Sequence, residues 1–235
     1  MKKKVLLLAA LMSLSFAVRA QESDSTSDEK ARLEPYMWGE VQSQYLWRGK
    51  RLYGFCVAPE LGLTYGGFSI DSWSAVDIVS PSLVEHDLTL AYDLGILQFD
   101  FVDYFCSPYG RNASYFGADS MFHVGEVGVS YQPADWLCIS VNANIYGDSA
   151  HSAYFELAFP FKLKGMYLTP AIGCTTNGAY YDGLREGEFG VCNISILAEK
   201  VVCGIPVVVT LQYNPLCDRF LVSGGLSLEL LQRKD

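Results

Sequence analysis

From Pro35 onward, apolar and polar side chains alternate with a period of two, and turn residues interrupt the alternation at regular intervals. Val57, Pro59, Leu61, Leu63 and Tyr65 alternate with Ala58, Glu60, Gly62 and Thr64. Leu97, Phe99 and Phe101 alternate with Gln98 and Asp100, and Leu137, Ile139, Val141, Ala143 and Ile145 with Cys138, Ser140, Asn142 and Asn144. Stretches near 87–94, 154–161, 207–213 and 225–230 repeat the pattern. Weaker strands are expected around 36–47, 68–75, 122–131, 168–176 and 188–200. The rhythm predicts twelve strands in all and no helix.

The connections alternate as well. Short turns are expected at Gly66-Gly67, Leu94-Gly95, Pro133 to Asp135, Leu163 to Gly165 and Val201 to Pro206. Between them fall longer polar or Gly-rich segments: Arg48 to Phe55, Val76 to Glu85, Ser107 to Met121, Gly147 to Ser152, Asn177 to Gly187 and Asn214 to Phe220. Strict alternation of short and long joints suits an up-and-down barrel with short turns at one rim and long loops at the other.

The polar face decides between a membrane barrel and a soluble barrel or two-sheet sandwich. It is rich in Gly, Ala, Ser and Thr and punctuated by single carboxylates, while Lys and Arg are nearly absent from the strands. Such a face suits a confined wet lumen, and the apolar face then looks outward. Tyr65, Tyr92, Tyr131, Trp136, Tyr167 and Tyr213 are read as an aromatic girdle beside the short turns. The expected fold is therefore all-β: a closed antiparallel up-and-down transmembrane β-barrel over residues 35–235. Closure follows from physics, since hydrocarbon offers no water to satisfy a free strand edge.

The N-terminal segment agrees with export. Lys2, Lys3 and Lys4 precede an apolar run from Val5 to Val18, and Val18-Arg19-Ala20 is a small-residue site before Gln21. Residues 1–20 read as a cleaved signal peptide and 21–34 as a flexible periplasmic leader. Cleavage would lower the basic residues from 17 to 13 against 26 acids, moving the formal net charge from −9 to −13. That balance offers nothing to nucleic acid. The expected location is the bacterial outer membrane, with membrane lipid outside and small solutes or ions inside. Oligomeric state is open.

Gln44-Tyr45-Leu46-Trp47-Arg48-Gly49 resembles the Tyr-x-Trp/Phe-Arg-Gly signature near the mature N-terminus of TorF-like porins. There a strand ending at Arg-Gly is followed by one leading to a Gly-Gly-Phe turn. Pro59 to Tyr65 with Gly66-Gly67-Phe68 follows that order, and Asp87 to Tyr92 resembles the next hairpin. The likeness covers the first third of the chain and implies a porin-like outer-membrane barrel without an assigned substrate. The chain departs from many such barrels by ending in Leu230-Leu231-Gln232-Arg233-Lys234-Asp235 rather than in an aromatic residue.

Lumen-lining candidates on the polar parity are Glu60, Asp71, Asp87, Asp93, Asp100, Glu126, Glu156, Glu199 and Glu229, with Arg48 the best-placed base. Unpaired carboxylates belong in a wet interior. The leading expectation is a passive porin-like channel for small solutes that prefers cations, as rings of Asp and Glu do. The alternative is a barrel closed by Arg48, Arg51, Arg111, Arg185 and Arg219 on those carboxylates, with its loops, above all Ser107 to Met121, as the structural or adhesive working part.

No catalytic, cofactor-binding or metal residue is expected. The His-x-Ser cue of a lipid-active barrel enzyme is missing at His86, His123 and His151, and His151 and Ser152 would point to opposite faces. Seven cysteines show no metal-ligand spacing and read as small hydrophobes, with a bridge among Cys56, Cys106 and Cys217 left open.

Overall fold

Fifteen strands arise where the period-two pattern runs. They are β1 (Leu33–Gln42), β2 (Tyr45–Trp47), β3 (Lys50–Tyr53), β4 (Cys56–Tyr65), β5 (Phe68–Asp77), β6 (Val84–Asp93), β7 (Leu97–Ser107) and β8 (His123–Ala134). There follow β9 (Leu137–Tyr146), β10 (Ala153–Ala158), β11 (Phe161–Leu163), β12 (Met166–Thr175), β13 (Gly190–Val202), β14 (Ile205–Asn214) and β15 (Arg219–Leu231). A computed structural model describes residues 32–79, 84–107, 115–116, 122–181 and 187–231. The signal segment, nearly all of the leader, Arg111 and Arg185 lie outside the described residues.

Every neighbouring pair in the large sheet is antiparallel, and β1 pairs with β4 on one side and β15 on the other, so the ring closes. Both β10 and β11 pair with β12, forming one strand interrupted at Phe159-Pro160. Pro160 has no N–H to donate, and the Phe159 amide keeps the ladder by donating to the Pro170 carbonyl at 2.9 Å. The closed barrel therefore has twelve strands.

The two parities separate cleanly. Leu61, Phe99, Val129, Val141, Leu157, Ile172, Leu211 and Leu228 stand exposed on the outer wall. On the opposite parity of the ring Ala58, Trp73, Tyr104, Glu126, Asn142, Glu156, Thr175 and Ser227 are buried. The largest buried cluster centres on Trp38, Tyr45, Trp47, Tyr53, Trp73, Tyr104, Tyr154 and Tyr181, inside the ring.

Three expectations about the connections need correction. Arg48 to Phe55 is not an outside loop: β2 and β3 form a separate two-stranded hairpin, and its residues Tyr45, Leu46, Trp47, Arg48 and Tyr53 are among the most buried in the chain. The first barrel strand consequently stops at Gln42 rather than Trp47. The joint between β14 and β15 is a tight turn over residues 215–218, although it lies at the long-loop rim. Here Asn214 Oδ1 accepts the Leu216 amide at 3.0 Å, which reverses the chain locally.

Two girdle assignments also fail. Tyr213 sits at the long-loop end of β14, stacked on Phe220 at 4.4 Å. Tyr167 has the inner parity of β12 and faces Glu199 across the ladder. Tyr65, Tyr92, Tyr131 and Trp136 do stand exposed at the short-turn rim. All seven cysteines are free thiols, and Cys56, Cys106 and Cys217 form no bridge.

Candidate functional site

The inner hairpin is made by its turn. Arg48 and Gly49 both have positive φ, 46° and 82°, as a mirror-image two-residue turn requires, and Trp47 pairs with Lys50 across it. Glycine at 49 is doubly constrained, since a Cβ there would lie 1.9 Å from the Cys192 carbonyl oxygen. The hairpin base is clipped to β15: the Ser43 amide donates to the Gly224 carbonyl at 2.8 Å and Ser223 Oγ donates to the Gln44 carbonyl at 2.6 Å. From there the chain turns into the ring.

Inside, Arg48 lies on the barrel wall. Its two terminal nitrogens donate to the two carboxylate oxygens of Glu126 at 2.5 and 2.8 Å, with only 1 % and 3 % of the two side chains exposed. The Tyr181 hydroxyl accepts a further bond from Nη1 at 3.2 Å, and the Tyr104 hydroxyl donates to Glu126 at 3.0 Å. The guanidinium carbon lies 4.4 Å from the Tyr154 ring centre and 4.7 Å from that of Trp47. Gly173 makes room for the Tyr154 ring, which a Cβ would overlap.

A second inward segment completes the closure. The 3-10 turn Gly178–Tyr181 packs Tyr181 flat against Trp47 and Tyr154. Lys50 Nζ donates to the Tyr180 carbonyl at 2.7 Å, and Asn214 Nδ2 donates to both Gly49 and Tyr181 carbonyls. The Gly49 amide donates to Gln212 at 3.2 Å. Beneath the hairpin, a cavity of about 20 Å³ bordered by Glu40, Gln42, Leu46, Thr210 and Ser223 has room for one water.

The candidate acids distribute around the wall. Glu126 meets Arg48, and Glu156 accepts from Tyr154 and from Asn193 Nδ2 at 3.3 Å, leaving its Oε1 without a partner among the described residues. Asp87 is 1 % exposed at the level of the hairpin. Asp100 faces Gly128. Glu60 and Asp71 flank Tyr36, whose ring lies over Gly62. Glu199 is buried lower on β13, Asp93 accepts the Gly95 amide at the short-turn rim, and Glu229 is exposed at that rim. Arg48 and Glu126 are in direct contact, Glu60 and Asp71 meet at Tyr36, and the others are spread around the ring. Arg51 and Arg219 are exposed rather than drawn inward.

Sequence reasoning missed Glu40 and Glu85, both buried on the inner wall. Glu40 shared an unclear first strand, and Glu85 was placed in a loop. It also missed the aromatic cage of Trp47, Tyr104, Tyr154 and Tyr181. The parity of β7 and β10 could have flagged Tyr104 and Tyr154.

A different pairing lies on the outer wall. Ser74 and His86 are cross-strand partners with Oγ and Nδ1 2.8 Å apart, a juxtaposition that no His-x-Ser search along one strand can find. Among the described residues no carboxylate bonds His86. The nearby Asp103 is taken up by His123 at 2.9 Å and by the Tyr115 and Tyr146 hydroxyls, each at 2.7 Å. His151 bonds the Asn144 carbonyl, while Ser152 is turned inward to Asn177. Neither serine–histidine neighbourhood has the orienting acid of a hydrolytic triad.

No protein-family model matches the chain, and no curated protein does. Among solved structures it is similar to an outer membrane channel from Pseudomonas putida F1, at 10% identity and a TM-score of 0.42, over 88% of this chain and 98% of that one. It is also similar to Salmonella typhi OmpF, at 8% identity and 0.36 over 85% and 97%, and to a variant of the Rh. blastica porin, at 10% and 0.35 over 85% and 100%. Values at this level reflect shared strand rhythm and curvature, and carry no argument about what this chain does.

Proposed function

We propose that this chain is an outer-membrane β-barrel of porin type whose lumen is closed at rest by its own inward hairpin and favours small cations when the hairpin is displaced. The observation that carries the reading is the division of faces in one closed ring. The outer wall is mostly apolar between two rims, with Ser72, Ser74, His86 and Asp103 as exceptions, while the inner wall bears Glu40, Glu60, Asp71, Glu85, Asp87, Asp100, Glu126, Glu156 and Glu199. A closed ring with a greasy exterior is what hydrocarbon requires of β-structure. An acidic inner ring draws cations and repels anions.

The purely passive open pore is disfavoured by the hairpin, which packs Tyr45, Leu46, Trp47 and Arg48 inside the ring with almost no exposure. Planar-bilayer recording tests the proposal. Wild-type protein is expected to be nearly silent, and a variant with residues 45–53 replaced by a short Gly-Ser link to conduct with a cation-selective reversal potential. Anion selectivity in that variant would defeat the reading. Silence in both would favour the second reading, a structural or adhesive barrel, to which the same filled interior also points.

A further inference from the structure

The geometry points to a guanidinium-binding site on the barrel wall that Arg48 occupies as an internal stand-in, so that the solutes engaging this lumen are guanidinium-bearing cations. The inference rests on the porin-type reading above and names its ligand class.

The site is assembled mostly from residues that do not belong to the hairpin. Glu126 on β8 presents both oxygens to the planar fork at 2.5 and 2.8 Å. Tyr104 on β7 fixes that carboxylate through its hydroxyl at 3.0 Å. Tyr154 on β10 supplies a ring face 4.4 Å from the guanidinium carbon, and Tyr181 an acceptor hydroxyl at 3.2 Å. Only Trp47 would leave with the hairpin.

A two-point carboxylate beside an aromatic face distinguishes a guanidinium from an ammonium. The fork makes two parallel bonds and stacks, whereas an ammonium is a compact, strongly hydrated point charge. Two unpartnered atoms add to the case. Among the described residues Arg48 Nε has no hydrogen-bond partner, so the wall reads only the two terminal nitrogens and leaves the substituted nitrogen unread, as a site tolerant of different alkyl groups would. Glu156 Oε1, in a residue 3 % exposed, faces the same lumen two residues along β10 from Tyr154 and is free to accept from a larger ligand.

Removal of Arg48 empties the site without touching the wall. An Arg48→Gln variant, and Arg48→Ala beside it, would be purified in detergent and titrated with methylguanidinium and, separately, methylammonium. Methylguanidinium is expected to raise the thermal unfolding temperature of the variant but not of wild type, with an apparent affinity about tenfold or more above that of methylammonium. The added substitution Glu126→Gln should abolish the difference. In bilayers, methylguanidinium should block the current of the variant with residues 45–53 replaced, with the same preference.

Equal responses to both cations, or a preference that survives Glu126→Gln, would overturn the inference. The thermal measurement does not depend on conduction. Silence of the hairpin-replaced variant, beside an Arg48→Gln variant that still prefers methylguanidinium, therefore argues against the channel and not against the site. Where Arg48→Gln does not fold in detergent, recovery of folded protein by refolding in methylguanidinium but not in methylammonium supports the site, and failure in both overturns it.

Discussion

A single ion pair concentrates the energetics of the interior. Arg48 and Glu126 are both almost wholly out of water, and their bidentate geometry with two tyrosine hydroxyls satisfies most of their polar atoms. Losing one partner of such a pair strands the other charge, at a cost of about 3–5 kcal/mol. Glu126→Gln should lower stability to urea unfolding in detergent by that order, and the double change Glu126→Gln with Arg48→Gln by less than the sum of the two. An additive result would show that the pair is not coupled in the folded protein. A second residue sets a pH dependence at the long-loop rim. Partial burial works to raise the Asp148 carboxyl, but bonds from Ser152, Asn144 and the Ala150 amide outweigh it and hold the group below its ordinary value. A depressed carboxylate contributes stability that is present at neutral pH and lost as pH falls through its folded value. The Ser152 and Ala150 amide resonances should therefore shift together only on strong acidification, below the ordinary aspartate range. In an Asp148→Asn variant that acid step should vanish; its persistence would place the titrating group elsewhere.

At the scale of an element, the hairpin β2–β3 explains both what the sequence disclosed and what it concealed. Strand rhythm was legible because a wall with two different solvents must alternate at period two, as at Leu137 to Ile145. Hairpin joints such as Gly66-Gly67 were legible because they carry a residue at positive φ, here Gly66 at 58°, which glycine adopts cheaply. Tyr45 to Tyr53 was misread because a strand of the wall and a strand folded inside it share the same residue types, and Arg48, legible as the base best placed to meet the acids, acquires a definite partner only when Glu126, 78 residues away, is brought to it. Parity brought out acids such as Glu126 and Glu156 but not Glu40 or Glu85, and it did not bring out their partners, since Tyr104, Tyr154 and Tyr181 come together only on closure of the ring. The turn offers a controlled test. Gly49 and Gly165 have similar positive φ, 82° and 77°, yet a Cβ at Gly49 would strike the Cys192 carbonyl, whereas at Gly165 it would meet nothing within 4 Å. Gly165→Ala should cost only the backbone penalty, about 1–2 kcal/mol. Gly49→Ala should cost more and loosen the plug, read as increased tryptophan emission change and as conductance. Equal losses at the two positions would mean the hairpin does not seat against β13.

At the scale of the whole molecule, the membrane-embedded reading assigns the outer wall to lipid, and depth gives the sharpest test of that assignment. In a lipid-facing wall a charged side chain costs about 2–4 kcal/mol at the midplane and about 0–1 near the interfaces. Strand β9 carries outward residues at both levels: Val141 lies at its middle, 42 % exposed, and Leu137 at the short-turn rim beside Trp136. The same strand turns Ser140 and Asn142 inward. Val141→Arg should therefore destabilise folding into lipid vesicles several-fold more, in free energy, than Leu137→Arg. A barrel standing in water gives a different expectation, because an outward residue already in water accepts arginine at either position with little change. The contrast within one strand removes differences of strand propensity and neighbour packing that would blur a comparison between strands. Near-zero cost at both positions would mean that the apolar wall meets water, and the reading of this barrel as membrane-embedded would fall with it.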